Sequence, residues 1–148
     1  MSDYLQVQDV IDYLTTLAED KLYHDDSISG QNTDWIQDDI NCAESDIDSY
    51  LGKYYDLPAT SVDNPVSFAI FKCITMDITI YRAYLRAACG MPEEIMFAFE
   101  QSMKKLKDFR DEKAYLPDLS LISDNGVAKT NIFTNDAMLT VAKTSLFY

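Results

Sequence analysis

Apolar residues recur at spacings of three and four in successive stretches of this chain, the pattern of helices with one buried side. Val7, Val10, Ile11, Leu14, Ala18 and Leu22 share a face and predict a first helix from Val7 to about Leu22. The polar stretch His24 to Thr33 predicts a loop. Asn32 or Thr33 can cap a second helix, from about Asp34 to Leu51, with Ile36, Ile40, Ala43, Ile47, Tyr50 and Leu51 as its stripe. Asp34, Asp38 and Asp39 stand in its first two turns, where negative charge suits the helix dipole. Gly52 is the expected stop.

After a connector from Lys53 to Asn64, Pro65 suits the first turn of a third helix that reaches Ala88 or Cys89, with Gly90 behind it. Its main stripe is Phe71, Ile74, Ile78, Tyr81, Leu85 and Ala88. Lys72, Thr75, Thr79, Arg82 and Arg86 make a polar stripe with the same spacing. Ala69, Cys73, Met76, Ile80, Ala83 and Ala87 form a second apolar face. A helix with two apolar faces is central, or packs on its own domain and on a neighbour. Four charged side chains interrupt the run, so it does not predict a membrane span. Pro92, Glu93 and Glu94 open a fourth helix whose inner side is Met96, Phe99, Met103, Leu106 and Phe109/Arg110. Beyond Ala114 the texture changes to short apolar runs, a proline and an Asn125–Gly126 turn signal. The predicted fold is all-α: a four-helix domain over residues 1–113 and an extended C-terminal arm over 114–148 with room for short strands.

A chain of 148 residues, 47% apolar, can bury one proper core. Charge changes the picture more than composition does. Residues 1–64 carry fifteen Asp and Glu against Lys21 and Lys53, whereas 65–148 carry ten acids and ten bases. The whole net charge of −13 therefore lies in the first 64 residues, which argues against a DNA-gripping surface there. A solvated acidic face and an acidic lining past which DNA slides both remain open. The start MSDYLQVQD has no basic region and no apolar signal run. Three cysteines, an odd number set in helical patterns, argue against a disulfide framework and read as small core residues.

The residues with chemical potential do not form a catalytic constellation. His24 stands beside Asp25 and Asp26 with no nucleophile in view and reads as a surface loop histidine. The same loop offers Asp25, Ser27 and Ser29 at the first three ligand positions of a calcium loop and Gly30 at its turn. The twelfth position, where a bidentate Glu is needed, is Ile36. No catalytic group, metal site or cofactor is expected. Asp77 borders the main stripe of the third helix and reads as a partly buried carboxylate with a polar partner. Ten tyrosines and seven phenylalanines are the more telling feature, because tyrosine suits interfaces. Tyr54 and Tyr55 follow the second helix, and Phe147 and Tyr148 end the chain.

Four pieces in order carry a family resemblance. They are the acidic loop HDDSISG; the segment AESDIDSYLGKYYDLP from Ala43 to Pro58; Asp77-Ile78 with Tyr81-Arg82 and Tyr84-Leu85; and Asn131-Ile132-Phe133-Thr134-Asn135-Asp136. Together they resemble the Mu-like phage head–tail joining proteins. Lys53-Tyr54 stands where that family often has Arg-Tyr, and Asn131 and Asn135 stand where its tail is often basic, while the apolar anchor Phe133 is kept. The resemblance implies a non-enzymatic adaptor of the virion head–tail junction, assembled in the host cytoplasm. It implies a homo-oligomeric ring of twelve copies between the portal and a tail-side neck or tail-terminator protein. DNA would pass through the lumen without sequence-specific binding, and no membrane is involved. The expected contact residues are Tyr54, Tyr55, Met76, Ile80, Ala83, Ala87, Phe133, Phe147 and Tyr148. The concentrated acid supports one rival, an acidic DNA mimic or regulatory binding module.

Overall fold

The computed structural model describes residues 3–17, 19–122 and 128–129, and within them four helices carry the fold. Helix α1 (Val7–Thr16) starts where the Gln6 amide donates to the Asp9 carboxylate at 3.0 Å. It ends at Thr16 rather than at Leu22. Thr15 and Thr16 donate their hydroxyls back to the carbonyls of Ile11 and Asp12, and such bonding by β-branched residues weakens a helix end. Leu22 still reaches the core, from a 3₁₀ turn at Asp20–Tyr23.

The expected loop is a small hairpin, β1 (His24–Asp25) antiparallel to β2 (Gly30–Gln31). Asn32 then caps α2 (Thr33–Leu51), its side chain accepting from the Trp35 amide at 3.1 Å. Gly52 follows in ordinary helical geometry. A Cβ there would stand 2.7 Å from the Asp48 carbonyl oxygen, so close approach, not left-handed backbone, calls for glycine. Helix α3 (Pro65–Ala87) has Pro65 in its first turn and stops at Ala88, whose φ of 50° is left-handed. Helix α4 spans Glu93–Arg110, with Pro92 as its cap.

Two apolar clusters form the core, and α3 runs through both. Its N-terminal half supplies Phe71, Ile74 and Ile78 to a cluster with Ala43, Ile47 and Leu51 of α2 and Leu106 and Phe109 of α4. Its C-terminal half supplies Ile80, Ala83 and Tyr84 to a cluster with Val10 and Leu14 of α1, Leu22 and Tyr23 of the 3₁₀ turn, and Ile36 and Ile40 of α2. The mainly helical architecture follows the predicted one.

The stretch after α4 joins this body instead of leaving it at residue 114. Leu116 and Leu119 are buried, and each buried leucine stabilises by about 1.5–3 kcal/mol. The Asp56 amide donates to the Ser120 carbonyl at 3.0 Å, and the Ile122 amide to the Tyr54 carbonyl at 2.8 Å. Strand β3 (Leu121–Ile122) pairs with β4 (Ala128–Lys129), in keeping with short strands in this region. The remainder of the expected arm, with Phe133, Phe147 and Tyr148, lies outside the described residues.

Asp118 ties this stretch to the start of α3. Its carboxylate accepts from the Val66 amide at 2.7 Å, from the Ser67 amide at 3.0 Å, and from the Ser67 hydroxyl. Burial pulls its carboxyl up, but these bonds outweigh that and hold it below the ordinary aspartate value. A depressed folded-state value gives stability that is complete above the unfolded value of about 3.9 and is lost as pH falls through the folded one. Asp118→Ala should therefore cost about 1 kcal/mol in urea denaturation at pH 7, as loss of a helix cap does. The deficit should shrink below about pH 3. A cost unchanged across that range would contradict the assignment.

Candidate interaction surface

The polar stripe of α3 is not a solvated face. Thr75 and Thr79 are fully buried, and Arg82 and Arg86 turn towards α2. Arg86 Nη2 lies 2.8 Å from Asp39 Oδ1, and its Nε lies 3.4 Å from Oδ2. Tyr23 donates its hydroxyl to the same Oδ2 at 2.9 Å and reaches the Thr79 carbonyl at 3.4 Å. Asp39 keeps only 4% of its surface. Burial and the neighbouring Asp39 push the Tyr23 phenol well above its ordinary value, so the hydroxyl stays a donor. The Arg86 guanidinium also lies 5.7 Å from the centre of the Trp35 ring.

Some acids of the first half likewise have partners within the chain. Asp46 meets Arg82 at 3.2 Å. Glu44 accepts from the Asp3 and Tyr4 amides at 3.1 and 2.9 Å. Asp9 meets Lys72 at 3.3 Å. In the hairpin, Asp25 accepts from the Ser27 amide and hydroxyl and from Asn32, and those bonds lower its carboxyl. The calcium-like spacing is thus an internally closed turn, with Ile36 buried. Among the described residues no group of three His, Cys, Asp or Glu stands close enough to hold a metal ion. His24 meets Asp26 at 3.1 Å on an exposed edge.

Several expected contact residues prove internal. Tyr55 is buried and donates to the Phe109 carbonyl at 3.1 Å, because the 54–56 backbone pairs with 120–122 and turns that ring inward. Ile80 and Ala83 are covered by the cluster built from α1 and the 3₁₀ turn. Tyr54 is 38% exposed, Met76 is half-buried and Ala87 is exposed. The cysteines depart from expectation in the opposite sense: Cys42, Cys73 and Cys89 are all exposed.

Among the described residues, two exposed apolar patches bear on docking. The first is the open half of the second face of α3, where Ala69, Cys73 and Met76, with Tyr13 of α1, line a trough of about 430 Å³ edged by Lys72 and Asp77. Asp77 accepts from the Ser102 hydroxyl at 2.6 Å, as a partly buried carboxylate needing a polar partner should. Burial raises its carboxyl, and Ser102 and the charge of Lys105 pull it back only in part. The second patch is at the N-terminal end of α4. Met96 and Phe97 are 46% and 62% exposed, with Glu93, Glu94 and Glu100 around them. Met96 was expected inside. The buried line is instead Ser102, Leu106 and Phe109, continued by half-buried Ile95 and Phe99, and Phe99 stacks on Tyr81 at 3.8 Å. Phe97 was legible as an apolar residue out of step with that line.

These features describe a small, mainly α-helical protein in which three ion pairs link helices and whose free surface includes separate apolar patches. Residues 4–130 match the family model described as Bacteriophage Mu, Gp36, and the chain belongs to that family. It is a Mu-like phage protein. No curated protein and no solved structure matched the chain. Among the described residues no helix is long and apolar enough to cross a membrane.

The Asp39 cluster predicts an asymmetry. Arg86→Ala leaves a carboxylate in the interior and should cost about 3 kcal/mol. Asp39→Ala leaves Arg86, 35% exposed, free to reach water and Tyr23 with only the Thr79 carbonyl at 3.4 Å, and should cost less, about 1–2 kcal/mol. Equal losses in urea denaturation would contradict this account. For Asp77, a raised folded-state value means a contribution that is complete below the unfolded value and lost as pH rises through the folded one. Asp77→Asn should accordingly gain on the parent in melting temperature between pH 3 and pH 7. A constant difference would show that burial does not disfavour the Asp77 charge.

Proposed function

We propose that this protein is a structural connector of the phage neck, a ring of identical subunits joining the portal to the tail-side proteins, through which DNA passes. The family match across residues 4–130 carries this reading. The surface supports it. A protein that works by docking needs apolar area left over after its own core is built, and the α3 trough and the Phe97 patch supply it. A ring also needs unlike surfaces on each subunit, and these two patches differ in shape and charge.

The virion head–tail junction is the proposed location, and mechanical continuity is the proposed role, without a chemical step. The rival reading, an acidic mimic of DNA, fits less well. Of the fifteen acids of the first half, Asp39, Asp46, Glu44, Asp9 and Asp25 have partners within the chain and are not free to imitate phosphates.

Disrupting the gene in a phage that carries it tests the reading. DNA-filled heads and separate finished tails should accumulate, and purified protein should restore joining when added to such a lysate. Normal tailed particles without the protein, or empty unpackaged heads alone, would sink the proposal.

A further inference from the structure

Nineteen residues follow Lys129, the last of the described residues, and their composition is unlike that of the rest of the chain. Ten of them are apolar, and only Asp136 and Lys143 are charged, against a quarter of the whole chain. From Ala137 to Ala142, five of six residues are apolar. The α1–α3 trough calls for an occupant of that kind. Tyr13, Ala69, Cys73 and Met76 make it apolar, and its two charged neighbours are already answered, Lys72 by Asp9 at 3.3 Å and Asp77 by Ser102 at 2.6 Å. The hollow at Met96 and Phe97 is lined instead by Glu93, Glu94 and Glu100, and covering those carboxylates with an uncharged segment costs energy. The segment also starts close enough. Lys129 pairs with Leu121, which lies three residues from Asp118, and Asp118 holds the Val66 and Ser67 amides. Ala69, the near end of the trough, is two residues further along α3. At about 3.3 Å per extended residue and about 5 Å between paired strands, the gap from Lys129 to Ala69 is at most about 30 Å. About nine residues cross it, which brings Met138, Leu139, Val141 and Ala142 to the trough.

We infer that residues 130–148 cover the α1–α3 trough of their own molecule, with the stretch from Ala137 to Ala142 laid over Ala69, Cys73 and Met76. The tether decides in favour of the same molecule. A segment linked this closely meets its site at an effective concentration on the order of millimolar, well above that of other copies in dilute solution. In the connector reading the trough is docking area, so the segment is a removable cover that a neighbouring subunit or neck protein displaces on assembly. That regulatory role rests on the connector reading, whereas the cover itself does not.

Cys73 in the trough provides the test. The full chain with Cys42→Ser and Cys89→Ser is held at a dilution where it sediments as a monomer, and the rate at which a small maleimide labels Cys73 is measured. The comparison is Cys42 in the chain with Cys73→Ser and Cys89→Ser, since both thiols are exposed among the described residues. Cys73 should label at least tenfold more slowly than Cys42. Leu139→Asp should bring it to the Cys42 rate with the helical circular dichroism unchanged. Cys73 labelling as fast as Cys42 in the parent chain would overturn the cover, as would slow labelling that neither Leu139→Asp nor Met138→Asp relieves. A short bismaleimide between Leu139→Cys and Cys73 should give a product of monomer size on a denaturing gel. Dimers or a ladder at that dilution would place the segment on another copy and overturn the inference. Electron microscopy reads the other claim separately: no rings with Cys73 covered would sink the connector reading and leave the cover standing, and rings with Cys73 labelling fast in the monomer would do the reverse.

Discussion

A carboxylate with almost no access to water must be matched by strong partners, or the fold that buries it loses several kcal/mol. Asp39 is that group here. Tyr23 reaches it from the 3₁₀ turn and Arg86 from α3, so one acid on α2 fixes three elements against one another. The rotation of α3 about its axis follows. With Arg82 and Arg86 held towards α2, and Phe71, Ile74 and Ile78 in the core with α4, the side bearing Ala69, Cys73 and Met76 is left facing outward. The open trough is thus a consequence of satisfying a buried charge elsewhere on the same helix.

This arrangement changes the meaning of the acidic first half. A surplus of −13 within 64 residues invites a picture of a featureless negative surface. Instead its members bind basic residues of α3, cap the chain start through Glu44 and close the hairpin through Asp25. The second half supplies three cations, Lys72, Arg82 and Arg86, to Asp9, Asp46 and Asp39. Asp3, Asp12, Asp26, Asp34, Asp38, Asp48, Asp56 and Asp63 stay exposed, so the outside of this half is still negative, and the apolar patches lie on α3 and α4.

The helices were legible because their stripes repeat at three and four and their ends carry strong signals. Asn32 caps α2, Pro65 opens α3 and Pro92 precedes α4. The end of α1 was not, because Thr15 and Thr16 continue the polar pattern while weakening the helix through their own hydroxyls. The role of Thr75, Thr79, Arg82 and Arg86 was not legible for a different reason. Polar residues in a stripe look solvated until a partner stripe is known, and that partner, Asp39 and Asp46, lies on another helix. Tyr55 has a similar history: its inward turn depends on pairing with residues 120–122, far along the chain. Of the expected contact residues, Met76 lines the trough, as the second apolar face suggested, and Tyr54 is exposed away from both patches. Exposed Phe97 showed only as a break in the spacing of α4.

The most direct measurement of the central claim is an electron cryomicroscopy map of the neck in purified particles of a phage carrying this gene. The account predicts a closed ring of this chain between portal and tail, with the apolar patches of α3 and α4 covered by neighbouring subunits or neck proteins. A neck without the chain, or a ring in which that trough and Phe97 both face open solvent, would contradict it.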